Sequence, residues 1–89
     1  MARVSFTQNV QRHVSCPPVH VEGSSLREVM EEAFLAYPEV RSYVVDEQGA
    51  LRRHMIIFID GRQLEDRVGL SDPVGPLADV HVMQALSGG

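Results

Sequence analysis

The sequence predicts an α+β domain in two layers, a mixed sheet of four to five strands with one main helix packed on one face. Three observations carry that prediction. Arg3–Thr7 and Val19–Glu22 alternate polar with apolar residues, the period of a half-buried strand. Only Leu26–Tyr37 shows a sustained helical apolar period. Two further apolar runs, Met55–Ile59 and Val80–Leu86, follow it and read as strands. A single amphipathic helix among strands can bury its stripe only against a sheet face.

Each element has a local reason. After Arg3–Thr7, the Cys16-Pro17-Pro18 run forbids helix and favours a turn or extended chain, so Val19–Glu22 returns as the second arm of a hairpin. Ser25-Leu26-Arg27-Glu28 fits a capping box, in which the Ser25 hydroxyl accepts from a free helix N–H and Glu28 reaches back. Leu26, Val29, Met30, Ala33, Phe34 and Tyr37 form one stripe, and Pro38 is expected to end the helix near Tyr37. Tyr43-Val44-Val45 is expected as a short strand or extended segment, and Asp46–Gly49 as a turn.

Met55–Ile59 is apolar on both faces, as suits a central strand or one whose outer face binds a partner. Asp60-Gly61 suits a two-residue hairpin turn, because both residues tolerate positive φ, and Arg62–Leu64 would be the returning strand. Residues 65–79 are loop-like, with a single turn at Val68-Gly69-Leu70, and Val80–Leu86 is the last strand. If that strand pairs parallel to the first in mid-sheet, both ends of the core are pinned. This order is the β-grasp, or ubiquitin-like, arrangement: a single domain over residues 1–86, then a flexible Ser-Gly-Gly tail at 87–89.

Composition narrows the function classes. With 89 residues and a formal charge of −4, the chain has room for one core and no concentrated basic surface for phosphate, so nucleic acid is not an expected partner. One cysteine excludes an internal disulfide and a multi-cysteine zinc framework, in keeping with a reducing cytosol. The first ten residues lack the apolar segment of a signal peptide, and no apolar run is long enough to span a membrane, so a cytoplasmic location is expected. All the basic residues are arginine, and the chain cannot itself be modified on lysine.

Four features acting together carry a family resemblance: the Ser25-Leu26-Arg27-Glu28 helix start, the Ile57-Phe58-Ile59-Asp60-Gly61 strand and turn, the Val80–Leu86 strand, and the closing Gly88-Gly89. The chain resembles the MoaD/ThiS group of ubiquitin-related sulfur-carrier proteins, including the carrier branch of cysteine biosynthesis. The resemblance implies a carrier and not an enzyme: Gly89 would be adenylated by an E1-like, MoeB/ThiF-like enzyme using ATP and Mg, then converted to a thiocarboxylate. It further implies a sulfur donor, such as a cysteine desulfurase or rhodanese-like protein, and a sulfur-accepting biosynthetic enzyme. No cofactor would be permanently bound. Several members carry a proline-containing segment before the glycines; here Gln84-Ala85-Leu86-Ser87 stands in that place, which leaves the pathway open.

The chemistry agrees with the residues themselves. A carboxylate is a poor electrophile, and a mixed anhydride makes it able to accept a sulfur nucleophile. Ser87, Gly88 and Gly89 form a thin lead into another protein's site, because two residues without Cβ add little bulk. Extended, the residues from Ala85 reach at most about 18 Å. Phe58, His81, Met83 and Leu86 are the expected partner-binding residues near that lead; on the last strand His81 and Met83 alternate with Val80 and Val82.

Other candidates have simpler readings. Cys16 beside two prolines is read as structural, and His13, His20, His54 and His81 lack metal-ligand spacing. Glu28, Glu31 and Glu32 fall on the wet face of the helix. Two rival functions use the same fold: a ubiquitin-like modifier conjugated through Gly89, and a non-covalent binding module indifferent to its C-terminus.

Overall fold

The structure, a computed structural model of the chain, describes residues 1–7 and 16–84. In chain order the elements are β1 (Ala2–Phe6), β2 (Val19–Val21), α1 (Leu26–Ala36), α2 (Pro38–Val44), β3 (Met55–Ile59), β4 (Arg62–Gln63) and β5 (Asp79–Gln84). The five strands form one sheet in the order β2-β1-β5-β3-β4. β5 lies in the middle, parallel to β1 and antiparallel to β3, while β1 with β2 and β3 with β4 are antiparallel pairs. The expected mixed sheet with a parallel central pair is therefore present.

The core fills the space between the helices and one sheet face. α1 buries Leu26, Val29, Met30, Ala33 and Phe34, the expected stripe, and Tyr37 packs half-buried against the same cluster. The sheet contributes Ala2, Val4 and Phe6 from β1, Met55, Ile57 and Ile59 from β3, and Val80 and Val82 from β5. Each large aliphatic side chain so removed from water stabilises the fold by about 1.5–3 kcal/mol, far more than residue-by-residue helix propensities. That margin explains why packing sets the element boundaries here.

The α1 start follows the expected chemistry with a shift of one residue. Ser25 Oγ accepts from the Glu28 N–H at 3.3 Å, but Glu28 Oε1 reaches past Ser25 to accept from the Ser24 N–H at 2.8 Å and the Ser24 hydroxyl at 3.1 Å. The Ser24 backbone N–H first, and then its hydroxyl, hold the Glu28 carboxyl below its ordinary pKa.

The segment after Tyr37 departs from expectation. Tyr37 leaves helical geometry at φ −132° and ψ 76°, as a residue before proline does, so α1 ends where expected, but Pro38 then opens a second, unexpected helix. Proline at a first helical position sacrifices no hydrogen bond, since that N–H would have no intrahelical acceptor. α2 then buries Val40 and Val44, one turn apart. Tyr43 and Val44 are thus helical, contrary to the expected strand; only Val45 is extended, bridging to Leu51. Burial of Val40 and Val44 on one helix face overrides the strand preference of the Tyr-Val-Val run.

The remaining differences are at element ends. β4 stops at Gln63, although the Leu64 N–H still donates to Ile57 O at 2.8 Å and Leu64 is buried. Asp60 and Gly61 have φ of 50° and 84°, the positive values their turn requires. The long loop back to β5 is ordered by two carboxylates. Asp66 accepts from the N–H groups of Val68, Gly69 and Ser71 and from the Ser71 hydroxyl, and Asp72 accepts from the N–H groups of Glu65 and Asp66. The Ser71 hydroxyl, followed by the Gly69 N–H, lowers the Asp66 pKa from 3.8 to about 2. Arg27 pins the same loop to α1 through Gly69 O at 2.8 Å.

Candidate functional site

The sheet face opposite the helices is assembled by strand alternation and register. On β5 the outward residues are Asp79, His81 and Met83, between the buried Val80 and Val82. Across the β3 pairing, Ile56 stands opposite Met83 and Phe58 opposite His81. Ile56 and Phe58 are half-buried while Met55, Ile57 and Ile59 are buried, so the apolar β3 run divides cleanly between core and open face. β1 adds Arg3 and Ser5 opposite Asp79 and His81, β2 adds His20 beside Arg3, and β4 adds Gln63 beside Phe58.

The face has two halves of different chemistry. Ile56, Phe58 and Met83 form an apolar half over β3 and the end of β5. The other half is a polar chain. Ser5 Oγ and His81 Nδ1 share a hydrogen bond of 2.8 Å, His81 Nε2 lies 3.6 Å from Asp79 Oδ2, and Arg3 Nη1 lies 3.5 Å from Asp79 Oδ1. A serine, a histidine and an aspartate in line invite a hydrolase reading, but Ser5 is nearly buried and lies on a flat strand pairing. Such exposed pairs chiefly fix side-chain orientation, since solvent screens their attraction.

Three of the expected partner-binding residues, Phe58, His81 and Met83, therefore share one face. Leu86 and the tail residues Ser87, Gly88 and Gly89 lie outside the described residues, as does His13. β5 runs from Asp79 toward Gln84, the last described residue, which stands opposite Met55 at the start of β3. Ile56 belongs to the same face and was not singled out from the sequence; a run apolar at every position hides which residues alternate outward until the register is known.

The other candidates take up separate places. Cys16 is fully buried, and burial pushes its thiol pKa up, which disfavours the nucleophilic thiolate. His20 is on the open face, whereas His54 sits against Tyr43 in the loop before β3. Among the described residues no three His, Cys, Asp or Glu side chains gather as a metal site, and no helix is long and apolar enough to cross a membrane.

Comparison with solved structures agrees with this topology. The chain superposes on a chain of the Amycolatopsis orientalis BexX/CysO complex structure with a TM-score of 0.84 and 18% identity, over 100% of this chain and 100% of that one. It matches Mycobacterium tuberculosis CysO with a TM-score of 0.81 and 19% identity over 97% of this chain and 100% of that one. SAMP1 from Haloferax volcanii gives 0.78 and 17% identity over 99% and 98%. The fold is the ubiquitin-like β-grasp. No protein-family model matches the chain, and no curated protein matches it in sequence. At these identities the shared property is the β-grasp itself.

Proposed function

We propose that this β-grasp chain is a sulfur carrier, a substrate of an E1-like adenylating enzyme and not a catalyst. The observation that carries the reading is the placement of β5, a mid-sheet strand beside an open face bearing Ile56, Phe58, His81 and Met83, which in the sequence stands a few residues before Gly88-Gly89. Full-length structural likeness to CysO supports it, as does the occurrence of CysO in a complex with BexX. In this reading the enzyme docks on the open face while the glycine end enters its nucleotide site.

ATP and Mg belong to that enzyme. The Gly89 carboxylate attacks the α-phosphorus of ATP and pyrophosphate leaves. The terminal sulfur of a donor protein's cysteine persulfide then displaces AMP to form an acyl disulfide. A second thiol attacks the donor's sulfur, breaking the S–S bond to leave the thiocarboxylate on Gly89 and a disulfide on the donor. The carrier's part is to hold a folded body at a fixed distance from an unhindered carboxyl group. The thiocarboxylate then delivers sulfur to a biosynthetic enzyme in the cytoplasm.

A second reading has its own observation. SAMP1 is described as a small archaeal modifier protein, and conjugation to lysine begins from the same activated carboxyl. Intact-mass and peptide analysis of the chain from its native cells separates the two. Oxygen-to-sulfur replacement at Gly89 supports the carrier; Gly89 joined to foreign lysines supports the modifier. A C-terminus always found as plain carboxylate, with binding unaffected when it is blocked, would instead favour the non-covalent module.

A further inference from the structure

Gln84, the last described residue of β5, is held by a contact that lies away from the open face. Gln84 pairs with Met55 across β3 and, one residue beyond the outward Met83, turns its side chain toward the helix layer. There the Tyr43 hydroxyl donates to Gln84 Oε1 at 2.8 Å. Tyr43 belongs to the last turn of α2 and packs half-buried against the core. Its ring meets the His54 ring edge-on, with centroids 5.9 Å apart and planes at 86°, and His54 directly precedes β3. One phenol thus links α2, the approach to β3 and the final residue of β5 as described.

Resting on the carrier reading, we propose that Tyr43 is a positioning residue for activation of the C-terminus, fixing Gln84, which precedes Gly88-Gly89 by a few residues in the sequence, against the body of the fold. The physical reason is geometric. When an enzyme grips the open face and also the terminal carboxyl, only a few residues span the two, and the anchor of that span sets which geometries are sampled. Every residue released at the root multiplies the unproductive conformations, and small displacements of a reacting group reduce rates steeply. Ile56, Phe58 and Met83 point to the other side of the sheet, so loosening Gln84 leaves docking intact. Position accounts for the choice of bond: a half-exposed hydroxyl-to-amide contact contributes little to the fold, yet Ala85 follows it directly in the chain.

The test is ATP–pyrophosphate exchange by the host's MoeB/ThiF-like enzyme, with the full-length chain as wild type, Tyr43→Phe, Gln84→Leu, Gln84→Glu and the Tyr43→Phe/Gln84→Leu pair. Tyr43→Phe and Gln84→Leu are expected to lower kcat by at least about fivefold with KM for the carrier held within about twofold. The double variant should be no worse than either single one, because both remove the same bond. Gln84→Glu retains an acceptor for the phenol and should keep the wild-type rate, a rescue that a merely structural contribution of residue 84 would not produce. If Tyr43→Phe melts early, the two Gln84 variants decide the matter with the phenol in place. Wild-type kcat in both Tyr43→Phe and Gln84→Leu, or a loss shared equally by Gln84→Glu, would overturn the proposal alone. Absence of exchange by the wild-type chain would overturn the carrier reading and this proposal with it.

Discussion

Ile56 and Met83 stand opposite one another across β3 and β5, on the face turned away from the helices. Both are half-buried in the free chain, and with Phe58 they make the apolar half of that face. Binding energy at interfaces concentrates in such central apolar groups. Met83→Asp places a charge beside Ile56 that a docked partner would have to desolvate, so affinity for the adenylating enzyme is expected to fall at least about tenfold. Calorimetric titration measures it, with a melt to confirm folding. Unchanged affinity would remove Met83 from the interface.

The neighbouring pair Ile56 and Ile57 tests the division of the strand between core and face. Ile57 is fully buried between the sheet and the helices. Ile57→Ala should lower the unfolding free energy in urea by about 2–5 kcal/mol, the range for large aliphatic truncations that leave a cavity. Ile56→Ala, on the open face, should change it far less and should act on enzyme binding instead. Equal losses at the two positions would mean that the strand register differs from the one described.

Much of this was legible in the sequence, and the exceptions have physical causes. The Leu26–Tyr37 stripe, the Ser25 cap, the Asp60-Gly61 turn and the alternation of β5 each rest on local chemistry, and each is found. The Tyr43-Val44-Val45 run reads as a strand because its β-branched residues report a preference that packing overrules: Val40 and Val44 reach the core from a helix. Met55–Ile59 could not be divided by inspection, since a uniformly apolar run has no visible period; the pairing with β5 divides it. The Tyr43–Gln84 bond joins residues far apart in the chain, and no local pattern announces it. Alternation along the last strand sets His81 and Met83 on one face, the pairing with β5 adds Phe58, and Leu86 and residues 87–89 lie outside the described residues.

Acid should loosen the loop before β5. The folded-state pKa of Asp66 is lowered from 3.8 to about 2, chiefly by the Ser71 hydroxyl and then by the Gly69 N–H. A carboxyl with a depressed folded pKa contributes stability that is fully present above its ordinary value and is lost as pH falls through the folded one. Stability of the wild-type chain is therefore expected to decline between pH 3.8 and about 2, with Asp66→Asn showing a shallower acid limb over the same window. Melting temperatures across that range measure both. Identical limbs in the two proteins would show that the acid sensitivity arises elsewhere.

The central claim is that a free carboxyl on Gly89, at a fixed reach from the folded body, is the group on which a partner enzyme acts. ATP–pyrophosphate exchange by the host's MoeB/ThiF-like enzyme tests it most directly, comparing the wild-type chain with one lacking Gly89 and one carrying a single alanine appended after Gly89. The appended residue moves the carboxyl by about 3.3–3.6 Å and sets a Cβ beside it, while the deletion shortens the reach by a similar step. Neither touches the core, so melting should agree with wild type within the roughly 0.5 kcal/mol of harmless surface changes. The expected result is exchange with the wild-type chain and none with either altered chain; normal exchange by both altered chains would contradict the carrier function and leave the non-covalent binding module in its place.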